Sequence, residues 1–311
     1  VAEARGLGPT ELEDRLVPTL ELDAEGTRTI AIGSRTLTVR FDEHLAPYLI
    51  DEAGKRSDKI TKGKGDEADA LARAKAEWKE LQADVAQVGA ALIARLERAM
   101  CEGRRWDVAT FRALFVTHPL AQHLGRRLVW GVYEEGADVP ARTFRIAEDG
   151  TLADLEDGTT ALEDDARVGI VHPLFLADDL RIAWAQRLAD YEILQPFDQI
   201  GRRVDRVAPG TENEVPFGKA AEREVGLGAL LGALEARGWR TAMPDGDGLI
   251  DSLSRRFGDR EVTIGFSPGF RPREPRPDRV SVQVYAGKRL RDVPPLIFAE
   301  VTRDLAVLGL A

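Results

Sequence analysis

His118-Pro119-Leu120 and His172-Pro173-Leu174 are the residues of this chain whose type and spacing come nearest to chemistry. Each opens the pattern HPL-x6-R-[LI]-[VA]-W, which ends at Trp130 in the first copy and at Trp184 in the second, with Arg127 and Arg181 in register. Imidazole titrates near neutrality and binds divalent metals, so His118 and His172 are candidates for an acid–base pair or for two metal ligands. Neither copy has the carboxylate at fixed spacing that an H-E-x-x-H site requires. The structural alternative carries more weight: each proline sets a helix start, and each imidazole bonds the backbone where the chain turns. His123 lies five positions after His118, off a common helical face, which argues against a local metal clip.

A second set of candidates concerns anions. Arg126, Arg127, Arg181, Arg202 and Arg203 carry guanidinium forks that match phosphate or carboxylate oxygens. With a net charge of −10, pairing with neighbouring acids is the more economical expectation. Gln195, Asp198 and Gln199 flank Phe197 and either line a polar pocket or cap their own turn. Trp130 and Trp184 are expected in the core. Gly63-Lys64 lacks the G-x4-G-K-[ST] context of a phosphate loop, and no other cofactor signature is present, so the cofactor stays unassigned. Cys101 stands beside Arg104 and Arg105, which would lower a thiol pKa, but a lone cysteine without a positioned histidine reads as structural.

Composition narrows the class. A chain of 311 residues with 43% hydrophobic and 31% charged residues is globular and long enough for a substantial core. The acidic balance argues against a general nucleic-acid surface. One cysteine excludes an intramolecular disulfide and points to a reducing, cytoplasmic setting. No apolar run is long enough for a membrane span. The chain opens on Val1 without a signal peptide and is expected to be a fragment, from the C-terminal part, of a longer polypeptide.

The elements that must position these residues are α+β. Residues 1–65 read as a small N-terminal β unit, preceded by a capping box at Thr10–Glu13 with a short helix to Leu16. Alternating β-branched residues around Gly33-Ser34 predict a hairpin, and Tyr48–Asp51 a further strand. Residues 66–208 hold a long spine helix, 66–102, in which Leu71, Trp78, Val85, Leu92 and Ala99 recur every seven positions. A central helix–sheet–helix unit follows. In it a helix from Asp107 stops at His118, another runs from Pro119 to Arg127, and strands are expected over 128–133, 142–147 and 167–171. Residues 209–311 form a C-terminal α+β layer, with an Ala/Leu-rich helix ending at Gly238, strands over 239–243, 249–257, 261–266 and 280–286, and a closing helix after Pro294-Pro295.

Arg95-Leu-Glu-Arg-Ala-Met100, Gly103-Arg-Arg-Trp106, His118-Pro-Leu, Arg126-Arg-Leu-Val-Trp-Gly131, His172-Pro and Gln195-Pro-Phe-Asp-Gln199 together resemble the bacterial family called domain of unknown function 4132, found in MolR-type proteins. The resemblance extends over most of the chain. It implies a regulatory role, from the name molybdate metabolism regulator, and supplies no catalytic residues. Some members of the family carry a WGR domain in the same polypeptide, but Trp130-Gly131-Val132 departs from that motif, so nucleic-acid association through it does not transfer. The expectation is a non-catalytic regulatory or protein-interaction module of a larger cytoplasmic protein, with another protein or other domains of the same polypeptide as partner. The alternative is an enzyme or a binding domain for an anionic, phosphate-bearing or nucleotide ligand.

Overall fold

The seven-residue apolar repeat builds one helix, α1, Ala68–Cys101, in the computed structural model, which describes Glu13, Asp14 and residues 16–311. The capping box expected at Thr10–Glu13 lies outside the described residues. Along α1 the stripe Ala74, Trp78, Leu81, Val85, Leu92, Leu96 and Ala99 is buried, as a period near 3.5 requires. The helix stops at Gly103, whose φ of 65° is left-handed. There Gly103 N–H donates to Met100 O at 3.2 Å and Arg104 N–H to Ala99 O at 2.9 Å, the two bonds of a Schellman cap.

The chain divides into two compact units. The first comprises Val1–Glu97, Arg105–Val171 and Ala177–Ile200. Its first sheet is an antiparallel meander of β1 (Arg28–Ile32), β2 (Arg35–Phe41), β3 (Pro47–Ile50) and β4 (Arg56–Ser57). Alternation sends Ile30, Ile32, Leu37, Val39 and Leu49 inward. Its second sheet has the order β5-β9-β6-β7-β8, from β5 (Trp106–Asp107), β6 (Trp130–Tyr133), β7 (Arg142–Ile146), β8 (Leu152–Ala153) and β9 (Arg167–Ile170).

Helices in this unit are shorter than the sequence predicts. Asp107 caps Thr110 N–H at 2.7 Å, as expected, but only α2 (Val108–Phe111) is α-helical and Arg112–Val116 widens into a π turn. Phe111 and Phe115 both pack on the Trp130 ring, at 4.9 and 4.8 Å between centroids, so this aromatic cluster sets the local packing. The helix after Pro119 is reduced to α3 (Ala121–Gly125), and the Trp130 indole donates to the Gly125 carbonyl at its end, at 2.8 Å. After the second proline a 3-10 turn, Pro173–Phe175, comes first, and α4 (Asp178–Asp190) begins only beyond it, burying Trp184 and Leu188.

The second unit comprises Arg98–Arg104, His172–Leu176 and Gly201–Ala311. Its antiparallel sheet has the order β10-β14-β13-β12-β11, from β10 (Glu224–Gly226), β11 (Arg240–Thr241), β12 (Ile250–Phe257), β13 (Arg260–Phe270) and β14 (Arg279–Tyr285). Two helices, α5 (Leu227–Glu235) and α6 (Pro295–Ala306), share a core with it through Leu230, Leu234, Ile264, Val282, Val301 and Leu305. Strand β10 was not anticipated. Gly226 and Gly228 weaken helix there, and Glu224-Val225 extend to pair with β14. Helices together with three antiparallel sheets make this an α+β protein.

Candidate functional site

Helix α6 begins at Pro295, where proline's missing N–H costs nothing, and turns Ile297, Val301 and Leu305 into the core. Glu300 and Asp304 fall on that same apolar face, four residues apart, and both are fully buried. A carboxylate removed from water must find partners or lose its charge. Glu300 finds three. Arg202 closes on it with a fork, Nε to Oε1 at 2.8 Å and Nη2 to Oε2 at 2.7 Å. His172 Nε2 lies 3.1 Å from Oε1, and the Cys101 thiol donates to Oε2 at 3.0 Å. Arg202 Nη2 is also 3.3 Å from the Cys101 sulfur. Cys101, His172 and the Arg202–Glu300 pair come from the three chain segments of the second unit, so Glu300 is the hub that joins them.

The electrostatics follow from this geometry. Burial alone would raise the Glu300 pKa, but the Arg202 fork and the His172 bond hold it well below the usual carboxylate range. Cys101 is pushed well up, first by burial and then by the Glu300 charge, so it stays a thiol. His172 is lowered by burial, against the pull of Glu300. Its Nδ1 accepts from Leu174 N–H at 3.2 Å, so Nδ1 is bare and Nε2 carries the proton toward Glu300. A neighbouring pair repeats the principle. Asp304 takes the Trp239 indole at 2.8 Å and Arg255 at 2.7 Å, and burial raises its pKa despite them.

A carboxylate behind a histidine is the geometry of a general base, with the far nitrogen turned toward a substrate. Here the far nitrogen, Nδ1, is already used by the Leu174 amide, and the ring is 2% exposed. His172, Glu300, Arg202 and Cys101 are each buried and each bonded to another member of the network. Among the described residues no group of three or more His, Cys, Asp or Glu is placed to hold a metal ion.

In the first unit, His118 makes the same local bonds as His172. Its Nδ1 accepts from Leu120 and Ala121 N–H, each at 3.2 Å, and Nε2 therefore donates to Val17 O at 3.2 Å. Burial lowers its pKa as well. The repeated arginines correspond too: Arg127 Nε donates to Leu194 O at 2.5 Å, and Arg181 Nε to Ile200 O at 2.8 Å. They grip the two ends of the Gln195–Gln199 turn. Within that turn Gln199 is fully buried, accepts Val129 N–H at 3.0 Å, and donates to Val129 O and Val171 O at 2.8 and 2.9 Å. Gln195 orients it through a 2.6 Å bond to Oε1. Asp198 is exposed. Arg126 bonds Gln122 at 2.8 Å. His123 packs on Phe41 and is lowered to about 4, by burial first and Arg126 second.

Of the residues singled out by type and spacing, the structure brings His172 and Arg202 together on Glu300, and Arg127, Arg181, Gln195 and Gln199 together around one turn. His118 belongs to the first unit and His172 to the second. Glu300, Asp304 and the engagement of Cys101 were missed. The available signal was two acids four apart inside the apolar stripe of the closing helix, Ile297, Val301 and Leu305.

No helix among the described residues is long and apolar enough to cross a membrane. No solved structure matches the chain. It is 37% identical over 274 residues to the uncharacterized protein YehI of Escherichia coli (strain K12), a match that covers 87% of this chain and 22% of YehI. The chain thus spans about a fifth of the length of that curated relative. The family model described as domain of unknown function (DUF4132) matches residues 54–239, a stretch that contains both His-Pro-Leu segments and Arg202 but not Glu300. This chain belongs to the DUF4132 family.

Proposed function

We propose that this chain is a non-catalytic regulatory or protein-interaction module, working inside a longer cytoplasmic polypeptide and held against other parts of it. The observation that supports this reading is the burial of His172, Glu300 and Arg202: the groups fittest for chemistry bond one another at 2% exposure or less. The small share of YehI that this chain matches supports a role as one part of a longer protein. Resemblance to MolR-type proteins supports the regulatory assignment, and the net charge of −10 weighs against a nucleic-acid partner.

Two measurements test the proposal. Thermal unfolding of the chain with inorganic phosphate, ATP, magnesium and zinc is expected to show no shift, whereas a ligand at a hundredfold excess over its dissociation constant adds about 2.7 kcal/mol. Mixing the chain with the separately purified remainder of the longer polypeptide is expected to give a complex on size-exclusion chromatography. A shift with phosphate or ATP and no complex would replace this reading by that of an anion-binding domain.

A further inference from the structure

The outer face of the sheet in the second unit holds a pocket of about 420 Å³, within the range of roughly 300–1,000 Å³ that small ligands occupy. Alternation builds its floor. On β13, Val262, Ile264 and Phe266 face the core, and Thr263, Gly265 and Ser267 face out. On β14, Val280, Val282 and Val284 face the core, and Ser281, Gln283 and Tyr285 face out. The register aligns Ser252, Gly265 and Gln283 in one row and Ser267 with Ser281 in the next.

An irregularity opens the pocket. Pairing between β12 and β13 passes from Ile250↔Phe270 to Ser252↔Gly265, so Asp251 alone on β12 faces the longer stretch Phe266–Gly269 on β13. The strands part there, and Ser267 pairs only with β14. Gly269 is what lets the arch close again, since a Cβ on it would stand 2.8 Å from the Ile250 carbonyl oxygen. Such bulges re-aim side chains beside binding sites. Gly265 leaves the floor bare, and the Tyr285 ring leans over it, with 54% of that residue still exposed.

The lining chemistry is specific. Tyr285 O–H donates to Gln283 Oε1 at 2.9 Å, and Ser252 Oγ to Asp251 Oδ1 at 3.2 Å. These bonds leave the Gln283 amide N–H groups and the hydroxyls of Thr263 and Ser267 without a protein partner among the described residues. Hydroxyls and amides both donate and accept, which suits a ligand that does both. A phosphate is chiefly an acceptor and calls for cationic donors, and the residues described as lining the pocket include Asp251 and no arginine or lysine. An ammonium only donates, which uses one side of that capacity. A sugar ring offers several hydroxyls and one apolar face, matching the amide, the serines, the Asp251 carboxylate and the Tyr285 ring at once.

We infer that this pocket, between the β12–β13 bulge and Tyr285, is a binding site for a neutral, hydroxyl-rich ligand of the saccharide class. It is separate from the Glu300 network and does not depend on the reading given above. The test is a titration of the labelled full chain with glucose, galactose, N-acetylglucosamine and maltose, followed by backbone amide shifts, with inorganic phosphate as the control. At least one sugar is expected to move the Ser267, Ser281 and Gln283 amides, with a dissociation constant of about 1 mM. Ser281→Phe fills the pocket from an exposed strand position and is expected to weaken binding roughly tenfold or more, with the thermal unfolding midpoint unchanged. Tyr285→Ala removes the ring and is expected to weaken it as well. Silence of those amides toward all four sugars, undiminished binding in Ser281→Phe, or stronger shifts with phosphate would overturn the assignment.

Discussion

Arg202 and Glu300 meet as fork and carboxylate, 2.8 and 2.7 Å apart at their two contacts, ninety-eight positions apart in the chain and both removed from solvent. Around them the second unit gathers the end of α1 through Cys101 and the His-Pro-Leu turn through His172. Breaking a buried pair by removing one partner leaves a charge without compensation, which costs far more than the intact pair contributes. The pair is therefore a structural commitment of the fold, and the consequences differ from those of an active site.

Each His-Pro-Leu imidazole works as a cap, so the two histidines respond to substitution by cap chemistry. His118→Ala is expected to cost about 1 kcal/mol, the usual value of a lost cap, and His118→Asn to recover part of it, because Oδ1 replaces Nδ1 as the acceptor. His172→Asn restores the cap but not the bond to Glu300, so it is expected to cost more than His118→Asn. Urea unfolding of the four proteins, wild type included, checks the ordering.

Gln199 holds the backbone of Val129 and Val171 with three hydrogen bonds. Gln199→Leu leaves the Val129 N–H and the Val171 carbonyl unsatisfied, at roughly 1–3 kcal/mol for each orphan with incomplete additivity, while Val129 O keeps the Val171 N–H at 3.1 Å. The expected result is a loss of at least about 2 kcal/mol and faster hydrogen exchange at the Val129 amide, which donates to Gln199 Oε1.

Acid is expected to destabilise the protein from neutrality downward. Burial holds His172 below the ordinary imidazole value and His123 at about 4. The unfolded chain takes up these protons first, near pH 6.5, so the stability present above that value is lost as the pH falls toward the folded values. The slope is about 1.4 kcal/mol per pH unit for each imidazole at most. Glu300, held low in the folded state, adds a loss in the carboxylate range, and Asp304, held high, opposes it there. Urea midpoints between about pH 7 and pH 5 check the sign, and His172→Asn is expected to flatten the dependence.

Cys101 is buried, bonded to Glu300 and raised in pKa, so it is expected to be inert toward thiol reagents in the native protein. Labelling should follow the rate of unfolding. Stoichiometric labelling before any loss of structure would show that the network opens in the native state.

Much of the fold is written in local patterns. The stripe from Ala74 to Ala99 announces α1, and alternation announces β1, β2, β12, β13 and β14. Local patterns fail where a distant group decides. Pairing with β14, distant in sequence, turns Glu224–Gly226 from helix to strand. The same holds for the site. His118 and His172 bond backbone one turn ahead, which the His-Pro spacing foretells. The partner of His172, Glu300, is 128 positions away on another helix, where spacing carries no information. What remained readable was an acid in an apolar stripe, which has no solvated reason to be there.

Removing Glu300 tests the account most directly, by urea unfolding of Glu300→Ala beside the double variant Arg202→Met, Glu300→Leu. A structural hub predicts a loss of about 3–5 kcal/mol in the single variant and recovery of most of it in the double, where no charge is left stranded. A Glu300→Ala protein as stable as wild type, or more stable, as happens when a strained functional residue is removed, would contradict it.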